Sequence, residues 1–326
     1  MGRPESPLLA PDPDDSAADP AEAEVETRER VVDAALHGQR LDKALVTMAG
    51  EFSRSHLQDL IERGHVQVDG DKAGSASRKV RAGQRLRIEL VPTDESLAFR
   101  PQAMVLAILF EDAHLMLIDK PAGLVVHPAP GNWAGTLLNG LLAHHAGAAA
   151  LPRAGIVHRL DKDTSGVMVV GKTLEAVTAL SRDIAARTVR RRYLALAQGD
   201  CPSMTVEAPI GRDPVSRVKM AVVASGKPAR TDVEHLAAVG GISALRCTLH
   251  TGRTHQIRVH LASRGHPLVA DAVYGGRPAL GMLRQALHAH TLHLAHPITR
   301  APLAFECAPP LDFSAAWRQI STHLAR

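Results

Sequence analysis

Hydrophobic and polar positions change their spacing twice along the chain, which predicts three parts. Residues 1–30 show no apolar period, and their prolines and acidic side chains predict a disordered tail. In residues 31–98, helical spacing at 40–45 and after Ser53 is followed by strand-like alternation. This pattern predicts a compact module of two short helices and a small sheet.

Residues 99–326 form the third predicted part, in which short apolar runs alternate with turns. The pattern predicts strands over 105–110, 115–118 and 124–126, helices over 136–145 and 174–188, a strand through Tyr193 and further strands over 219–248. Strands outnumber helices, and short turns join many of them. The predicted fold class is therefore α+β: a large mixed, mainly antiparallel sheet with flanking helices, preceded by the small α/β module.

Composition narrows the class of protein. The chain has 326 residues, of which 45% are hydrophobic, so it can bury a sizeable core. Its three cysteines, Cys201, Cys247 and Cys307, are far apart and form no C-x-x-C pair, which disfavours a disulfide framework and a zinc ribbon. No apolar run is long enough to span a bilayer, and no signal peptide is evident. We expect a soluble, cytoplasmic protein that does not contact membranes.

Charge is distributed unevenly and indicates a polyanionic partner. The net charge is +4, but the first 30 residues carry nine acidic side chains and three arginines, so they hold −6 and the rest holds +10. A cationic body of this kind is typical of nucleic-acid binding. Because aromatic residues are only 3% of the chain, repeated base stacking is disfavoured. We expect a folded nucleic acid to be recognised mostly by charge and shape.

The most informative local pattern is the polar stretch 158–166, which runs directly into an apolar run at 167–170. It places the carboxylate of Asp161 two residues from Arg159, in a turn before a strand. A lone aspartate in a polar turn is structural in most proteins. By itself the pattern therefore leaves a catalytic and a purely structural turn both open.

Two motif matches compete for this stretch. Residues 166–173 fit the phosphate-loop pattern G-x-x-x-x-G-K-[ST], but the four middle residues predict a strand rather than a turning loop. A nucleotide hydrolase is therefore a minor alternative. Residues 161–166 imitate the start of a calcium loop, but its twelfth position, where a glutamate is needed, is Lys172. Calcium is disfavoured.

The histidines invite a metal assignment that their spacing does not support. His288 and His290 alternate as in a strand, His293 and His296 follow, and no H-E-x-x-H motif is present. RNA-facing or surface histidines explain the cluster better. We predict no metal and no cofactor.

The small module resembles the alpha-L RNA-binding motif, the domain found in ribosomal protein S-four. The resemblance rests on RLDKAL at 40–45, SRS at 53–55 and GHVQVDG at 64–70. In that family the helix pair presents its basic face to structured RNA. The resemblance therefore implies RNA contacts from Arg40, Lys43, Arg54, Ser55 and Arg63. On charge alone, a solvated basic surface is the open alternative.

Three blocks of the third part, in order, resemble the RluA/RluD family of pseudouridine synthases. They are HRLD at 158–161, RYLA at 192–195 and TGRTHQIRVH at 251–260. The family resemblance implies a cofactor-free isomerase that detaches uracil from its ribose, rotates it and rejoins it through carbon 5. It also implies a catalytic domain at 99–326 and a monomer.

The resemblance also implies roles for single residues. Asp161 matches the essential aspartate, which either attacks the sugar at its anomeric carbon or acts by another route. Arg258 matches the arginine that pairs with this aspartate. Tyr193 matches the tyrosine that stacks on the target uracil and can assist removal of the carbon-5 proton. Arg159 matches the residue that enters the RNA stack in place of the flipped base. From the residues alone, a core tyrosine and a surface arginine stay open for positions 193 and 258.

Further segments point to the branch of that family that modifies the helix 69 stem-loop of large-subunit ribosomal RNA. These segments lie at 126–128, 131–132, 152–157, 266–269 and 273–278. The implied partner is ribosomal RNA, within a large-subunit particle or its precursor. The alternatives are the same reaction at another rRNA or tRNA site, and a non-catalytic, ribosome-associated RNA binder.

Overall fold

A computed structural model describes residues 26–91, 98–129, 131–216 and 219–321. The chain divides into two compact units, Met1–Thr93 and Asp94–Arg326. Most of the predicted tail, residues 1–25, lies outside the described residues. Within the described ranges, no helix combines the length and the apolar content needed to cross a membrane.

The first unit is a four-stranded sheet with two helices. Its elements are β1 (Glu26–Val31), α1 (Leu41–Val46), α2 (Arg54–Glu62), β2 (Val66–Val68), β3 (Asp71–Lys72) and β4 (Arg85–Leu90). The strand order is β1-β4-β2-β3. The Ser53 side chain caps α2 by accepting from the N–H of His56, and Gly64, at φ +79°, follows its end. The predicted helix pair and small sheet are confirmed.

The start of this unit differs from the sequence-based expectation. Residues 26–30, which composition assigns to the disordered tail, belong to β1, which pairs with β4 over its whole length. The strand is mostly exposed, so it carries no apolar alternation that periodicity could detect. Backbone pairing and cross-strand charge hold it instead, since Glu29 lies 3.9 Å from both Arg85 and Arg87.

Asp42 joins the two helices of the first unit. Its side chain is fully buried, and it accepts hydrogen bonds from Arg40, Arg54 and Gln58. The hydrogen bond from Arg40, aided by those from Gln58 and Arg54, lowers the pKa of Asp42 although burial opposes this. One carboxylate in α1 therefore organises two arginines whose side chains are predicted to contact RNA.

We expect Asp42→Asn to destabilise the first unit by about 2 kcal/mol, because a neutral amide replaces the buried carboxylate that accepts charge-assisted hydrogen bonds from two half-exposed arginines. The folded-state pKa of Asp42 is lowered, so its stabilisation is present above the unfolded pKa and lost as the pH falls through the folded value. Wild-type stability should therefore decline from about pH 4 downward, and the variant should decline less. Hydrogen exchange of the β4 amides in the full chain measures both the loss of unfolding free energy and its dependence on pH.

Asp59→Asn is the matched control, because Asp59 pairs with Arg63 on the exposed surface of α2. Its effect should stay below about 1 kcal/mol. Fluorescence would miss either change, since both tryptophans and both tyrosines lie in the second unit. Equal effects of the two variants would contradict the role given to Asp42.

The second unit contains a nine-stranded sheet and four helices among its described residues. The elements are β5 (Ile108–Glu111), β6 (Leu115–Lys120), α3 (Leu137–His144), β7 (Ser165–Gly171), α4 (Leu174–Ala185), β8 (Arg190–Gln198), β9 (Met204–Glu207), β10 (Ile210–Arg212), β11 (Met220–Val222), β12 (Arg230–Val239), β13 (Ile242–Leu249), α5 (Gln256–Ser263), β14 (Leu287–Ala295), β15 (Pro302–Glu306) and α6 (Leu311–Ser321). Two short 3-10 turns, Ala146–Ala150 and Pro152–Gly155, follow α3.

The sheet order is β5-β6-β7-β14-β8-β13-β12-β9, with β15 paired to β14; β10 and β11 form a separate hairpin. Only β7 and β14 pair in parallel within this described sheet, and the other neighbours are antiparallel. The predicted α+β class with a mixed, mainly antiparallel sheet is confirmed. Both faces are covered, because alternate residues of β7 enter two different core clusters.

One predicted strand is wrong. Residues 124–126 form no strand, because the carbonyls of Val125 and Val126 accept hydrogen bonds from the first N–H groups of α3, at Leu137 and Leu138. These groups cap a helix instead of joining a ladder. The apolar residues are still used for packing, since Val126 is buried in the main core.

The phosphate-loop pattern falls on β7, in which all seven residues are buried. Lys172, the lysine of the pattern, pairs with Glu111 at 2.8 Å and donates to the carbonyl of Asp112. A phosphate cradle needs a turning loop with free amides, whereas these amides belong to a sheet. The strand prediction for this stretch is therefore confirmed.

Candidate active site

A cavity of about 640 Å³ opens in the second unit, where the turn before β7, strand β8, the loop after β13 and the start of α5 converge. It contains Asp161, Arg159, Tyr193 and Arg258. Its other basic side chains are Arg153, Arg187, Arg191, Arg253, His127, His158, His250 and His255. Asp161 is the one acidic residue among the described residues that line it.

The turn that carries Asp161 is held by Lys120, which ends β6. The Lys120 side chain is fully buried, and its Nζ donates to the carbonyls of Pro121, Leu124 and Lys162 at 2.7–2.9 Å. Burial lowers the pKa of this amine to about 8, although the charges of Asp163 and Asp161 oppose the shift. A buried ammonium thus fixes the backbone directly after Asp161.

Gly166 sets the distance between this turn and the sheet. Its φ is +114°, and a Cβ at this position would lie 2.2 Å from the carbonyl oxygen of Ala289 in β14. Only glycine permits this approach of β7 to β14. The turn is therefore anchored to the centre of the sheet.

Arg258 bridges two carboxylates in the cavity wall. Its Nη1 donates to Asp161 at 3.1 Å, and its Nε and Nη2 donate to the two oxygens of Asp271 at 2.7 and 2.9 Å. The Arg258 side chain is 5% exposed and that of Asp271 is 1% exposed. Burial disfavours the charged guanidinium, but Asp271 and Asp161 together raise the pKa of Arg258 above its ordinary value. Arg258 is therefore a permanent, oriented cation beside Asp161.

Asp271 and Tyr274 support this arginine from the loop after α5. Asp271 Oδ1 accepts the N–H of Tyr274 at 3.3 Å, and the Tyr274 ring lies 5.0 Å from the guanidinium carbon of Arg258. The Tyr274 hydroxyl lies 2.8 Å from Nδ1 of His255, whose Nε2 is 3.8 Å from Asp161. Asp161 is thus hydrogen-bonded by Arg258, and the His255 ring lies beside it beyond hydrogen-bonding distance.

Tyr193 faces the cavity from β8 and belongs at the same time to the main core cluster. Both the stacking and the core interpretations of this residue therefore agree with its position. Burial raises its pKa, the charge of Asp161 adds to the shift, and the charge of Arg191 opposes it. No described residue forms a hydrogen bond with its hydroxyl. That oxygen is available to a group bound in the cavity.

Two histidines of the cavity are neutral at pH 7. Burial lowers the pKa of His127 to about 4 with help from Arg159 and Arg153, and burial together with Arg191 lowers that of His158 to about 3. His158 Nε2 accepts the N–H of Val169 at 3.0 Å, so His158 braces the strand that follows the turn. Arginines therefore supply most of the positive charge.

The five predicted RNA contacts of the first unit, Arg40, Lys43, Arg54, Ser55 and Arg63, are all exposed and lie on or beside α1 and α2. Arg40 and Arg54 are oriented by Asp42. Arg63 pairs with Asp59 at 3.0 Å. The guanidinium groups are thus held at the surface of this unit.

The expectation of surface or RNA-facing histidines at 288 and 296 is wrong. His288 is buried and bonds to Ser165 and to the Cys307 carbonyl, and His296 is buried against Asp112. Their polar atoms satisfy the interior of the sheet. Across the described ranges, no three His, Cys, Asp or Glu side chains are grouped closely enough to hold a metal ion.

Several residues of the cavity region carry no functional signal that spacing could detect. Lys120, Arg191, His255, Asp271 and Tyr274 are separated along the chain and meet only through the sheet and α5. Three of them, Lys120, Arg191 and Asp271, are buried charged side chains. A lysine and an aspartate inside otherwise apolar stretches, as in LMLIDK and PLVADAVY, are the available sequence hint.

Comparison with known families gives two matches. The family model described as RNA pseudouridylate synthase matches residues 114–263, which include every cavity-lining residue except Leu287. The model described as S4 domain matches residues 39–86, within the first unit.

Curated relatives match nearly the whole chain. The chain is 48% identical over 317 residues to "Ribosomal large subunit pseudouridine synthase D" of Nitrosomonas europaea, covering 94% of this chain and 92% of the relative. It is 42% identical over 326 residues to the protein of the same name from Xanthomonas campestris, covering 96% and 97%. A solved structure, "Human RNA Pseudouridylate Synthase Domain Containing 1", is 26% identical with a TM-score of 0.50, over 68% of this chain and 86% of that one.

We expect Asp271→Asn to cost about 3 kcal/mol of unfolding free energy, because it removes the charge of a buried carboxylate held by two hydrogen bonds to Arg258. Denaturant unfolding followed by the fluorescence of Trp133 and Trp317 measures this. Asp312→Asn is the control, since Asp312 makes two similar bonds to Arg284 but is 43% exposed. The control should cost less than about 1 kcal/mol. Equal costs would contradict a structural role for the Asp271 charge.

Proposed function

The chain belongs to the RNA pseudouridylate synthase family and is an isomerase; from this we propose that it converts specific uridines of large-subunit ribosomal RNA to pseudouridine. The observation that carries the proposal is the Asp161–Arg258 pair in an arginine-lined cavity that also contains Tyr193. The names of the relatives support large-subunit rRNA as the substrate. We further propose the helix 69 stem-loop as the site of modification.

We propose three parts for the chain: an acidic tail, an S4-type RNA-binding domain predicted over 31–98, whose first strand extends back to Glu26, and a catalytic domain over 99–326. The S4 match and the exposed basic helix pair support the second part. Contacts between this helix pair and RNA phosphates would position the RNA without reading its sequence. Arg40, Lys43, Arg54, Ser55 and Arg63 would supply them.

The isomerisation breaks the bond between N1 of uracil and the anomeric carbon and forms a bond from carbon 5 to the same carbon. The Asp161 carboxylate, oriented by Arg258, either attacks the anomeric carbon or acts by another route that frees the base. The detached uracil rotates within the cavity. Carbon 5 then loses its proton and N1 gains one, so atoms and charge balance without a cofactor.

Tyr193 would stack on the extruded uracil. One such contact is worth roughly 1–3 kcal/mol, comparable with the few kcal/mol needed to extrude a nucleotide. We propose that its hydroxyl oxygen, which has no hydrogen-bond partner among the described residues, takes the carbon-5 proton as the phenolate; burial raises its pKa, and the charge of Arg191 opposes this shift. Arg159, exposed at the rim of the cavity, would fill the gap in the RNA stack.

The proposed substrate indicates where the protein acts and in what form. We propose that the protein acts as a monomer in the cytoplasm, on rRNA within a large-subunit particle or its precursor. Six arginines around the cavity suit a phosphate-rich surface of this kind.

We expect Asp161→Asn to abolish tritium release from rRNA tritiated at carbon 5 of uridine, because the amide cannot replace the carboxylate. Asp163→Asn is the control in the same turn, and it should keep most of the release. Mapping the pseudouridines that wild type forms then identifies the modified positions. Equal release from wild type and Asp161→Asn would remove Asp161 from the reaction.

We expect Tyr193→Phe to slow tritium release by roughly a hundredfold or more, since it removes only the oxygen that takes the proton. RNA affinity should change less than about twofold because the ring still stacks. Tyr193→Leu should lower both, by the roughly 1–3 kcal/mol that a stacked base is worth. Single-turnover release and equilibrium binding separate the two effects. A Tyr193→Phe protein that reacts at the wild-type rate would restrict Tyr193 to stacking.

A further inference from the structure

Arg191 is a buried arginine without a counterion among the described residues. It is 7% exposed, it forms no ion pair or hydrogen bond with any described residue, and its Nε is enclosed and unpaired. Arg258 is equally buried but holds two carboxylates. A buried, unpaired guanidinium is strongly unfavourable. The position is therefore built for an anion that comes from outside the chain.

The position of Arg191 directs it into the cavity. It lies two residues before Tyr193 on the same face of β8, opposite Leu249 at the end of β13. The loop after β13 passes beside it, since a Cβ on Gly252 would lie 2.9 Å from Nη1 of Arg191. Glycine at 252 thus leaves room for the guanidinium against the cavity wall.

A second unpaired donor lies in the same cavity. His158 accepts the N–H of Val169 at Nε2, so its proton is on Nδ1, and this atom is buried without a partner. The charge of Arg191 acts on His158, which places the two groups near each other. Two donors without partners, both on side chains that line one cavity, indicate a bound acceptor.

The described residues that line the cavity offer no free anion for Arg191. The one carboxylate among them, Asp161, is already engaged by Arg258, and the lining also includes further arginines, such as Arg187 and Arg253. A neutral uracil carbonyl would leave the guanidinium charge uncompensated. In RNA the phosphodiester is the anionic group, and it matches the fork of an arginine.

We propose that Arg191, assisted by His158, binds the phosphodiester next to the uridine held in the cavity. This rests on RNA being the substrate, as proposed above. Arg191 would draw the backbone inward while Tyr193, on the same strand face, receives the base. The unfavourable burial of Arg191 would then be relieved only when RNA is bound.

The test is equilibrium binding of the full chain to the helix 69 stem-loop, with phosphodiesters around the loop uridines replaced one at a time by neutral methylphosphonates. We expect one replacement to weaken wild-type binding by roughly tenfold to a hundredfold. Arg191→Met should weaken binding to the unmodified RNA by a similar factor. The methylphosphonate replacement should then cause no further loss of affinity in this variant. For Arg191→Met, the negative slope of log affinity against log salt concentration should be smaller in magnitude than for wild type by roughly 0.7–1. Arg192→Met, on the exposed face of β8, is the control and should keep the wild-type sensitivity to that replacement.

Stability separates this role from a structural one. Arg191→Met should melt no lower than wild type, because it removes an uncompensated buried charge. Gly252→Ala should also fold, since its Cβ meets only the flexible end of Arg191, but it should displace the guanidinium and reduce the sensitivity to the same linkage. A clear fall in the melting temperature of Arg191→Met would overturn the proposal.

The proposal would also be overturned if wild type and Arg191→Met were equally sensitive to every methylphosphonate replacement. Binding and tritium release are separate measurements, so this result can be told apart from a failure of the reaction. Absence of tritium release from wild type would instead overturn the proposed function.

Discussion

The site depends on one hydrogen-bonded network of ion pairs, Asp161–Arg258–Asp271. Asp271 holds Arg258 through two hydrogen bonds in a nearly dry environment, and Arg258 then offers its remaining nitrogen to Asp161. A buried arginine paired with one carboxylate only would be poorly oriented, and a buried aspartate without an arginine would be costly. The second carboxylate therefore lets Arg258 position the first.

This network needs a rigid frame, and the centre of the sheet supplies it. Lys120 holds the backbone after Asp161, and Gly166 lets β7 meet β14 directly. Arg258 lies on α5, which follows β13, two strands from β14 across β8. Elements distant in sequence are thus fixed within hydrogen-bonding distance, which an electrostatic site requires.

The remaining charge of the cavity is cationic and poorly balanced by the protein. Burial and neighbouring arginines keep His127 and His158 neutral, so the arginines dominate. An RNA backbone is the natural complement to such a surface. In the proposed function, this imbalance would let a single aromatic ring, Tyr193, suffice to hold the base, because the cations around it would hold the neighbouring phosphates.

Local pattern was sufficient for the α+β class, for the helix pair at 41–62 and for the turn and strand around Asp161, because period, caps and turn residues act over a few neighbours. The three blocks also indicated Asp161, Tyr193 and Arg258 through family resemblance. Pattern could not show that 124–126 caps a helix, that 26–30 is an edge strand, that Asp271 holds Arg258, or that Arg191 faces the cavity. Those facts depend on partners more than ten residues away, and only the folded sheet brings the partners together.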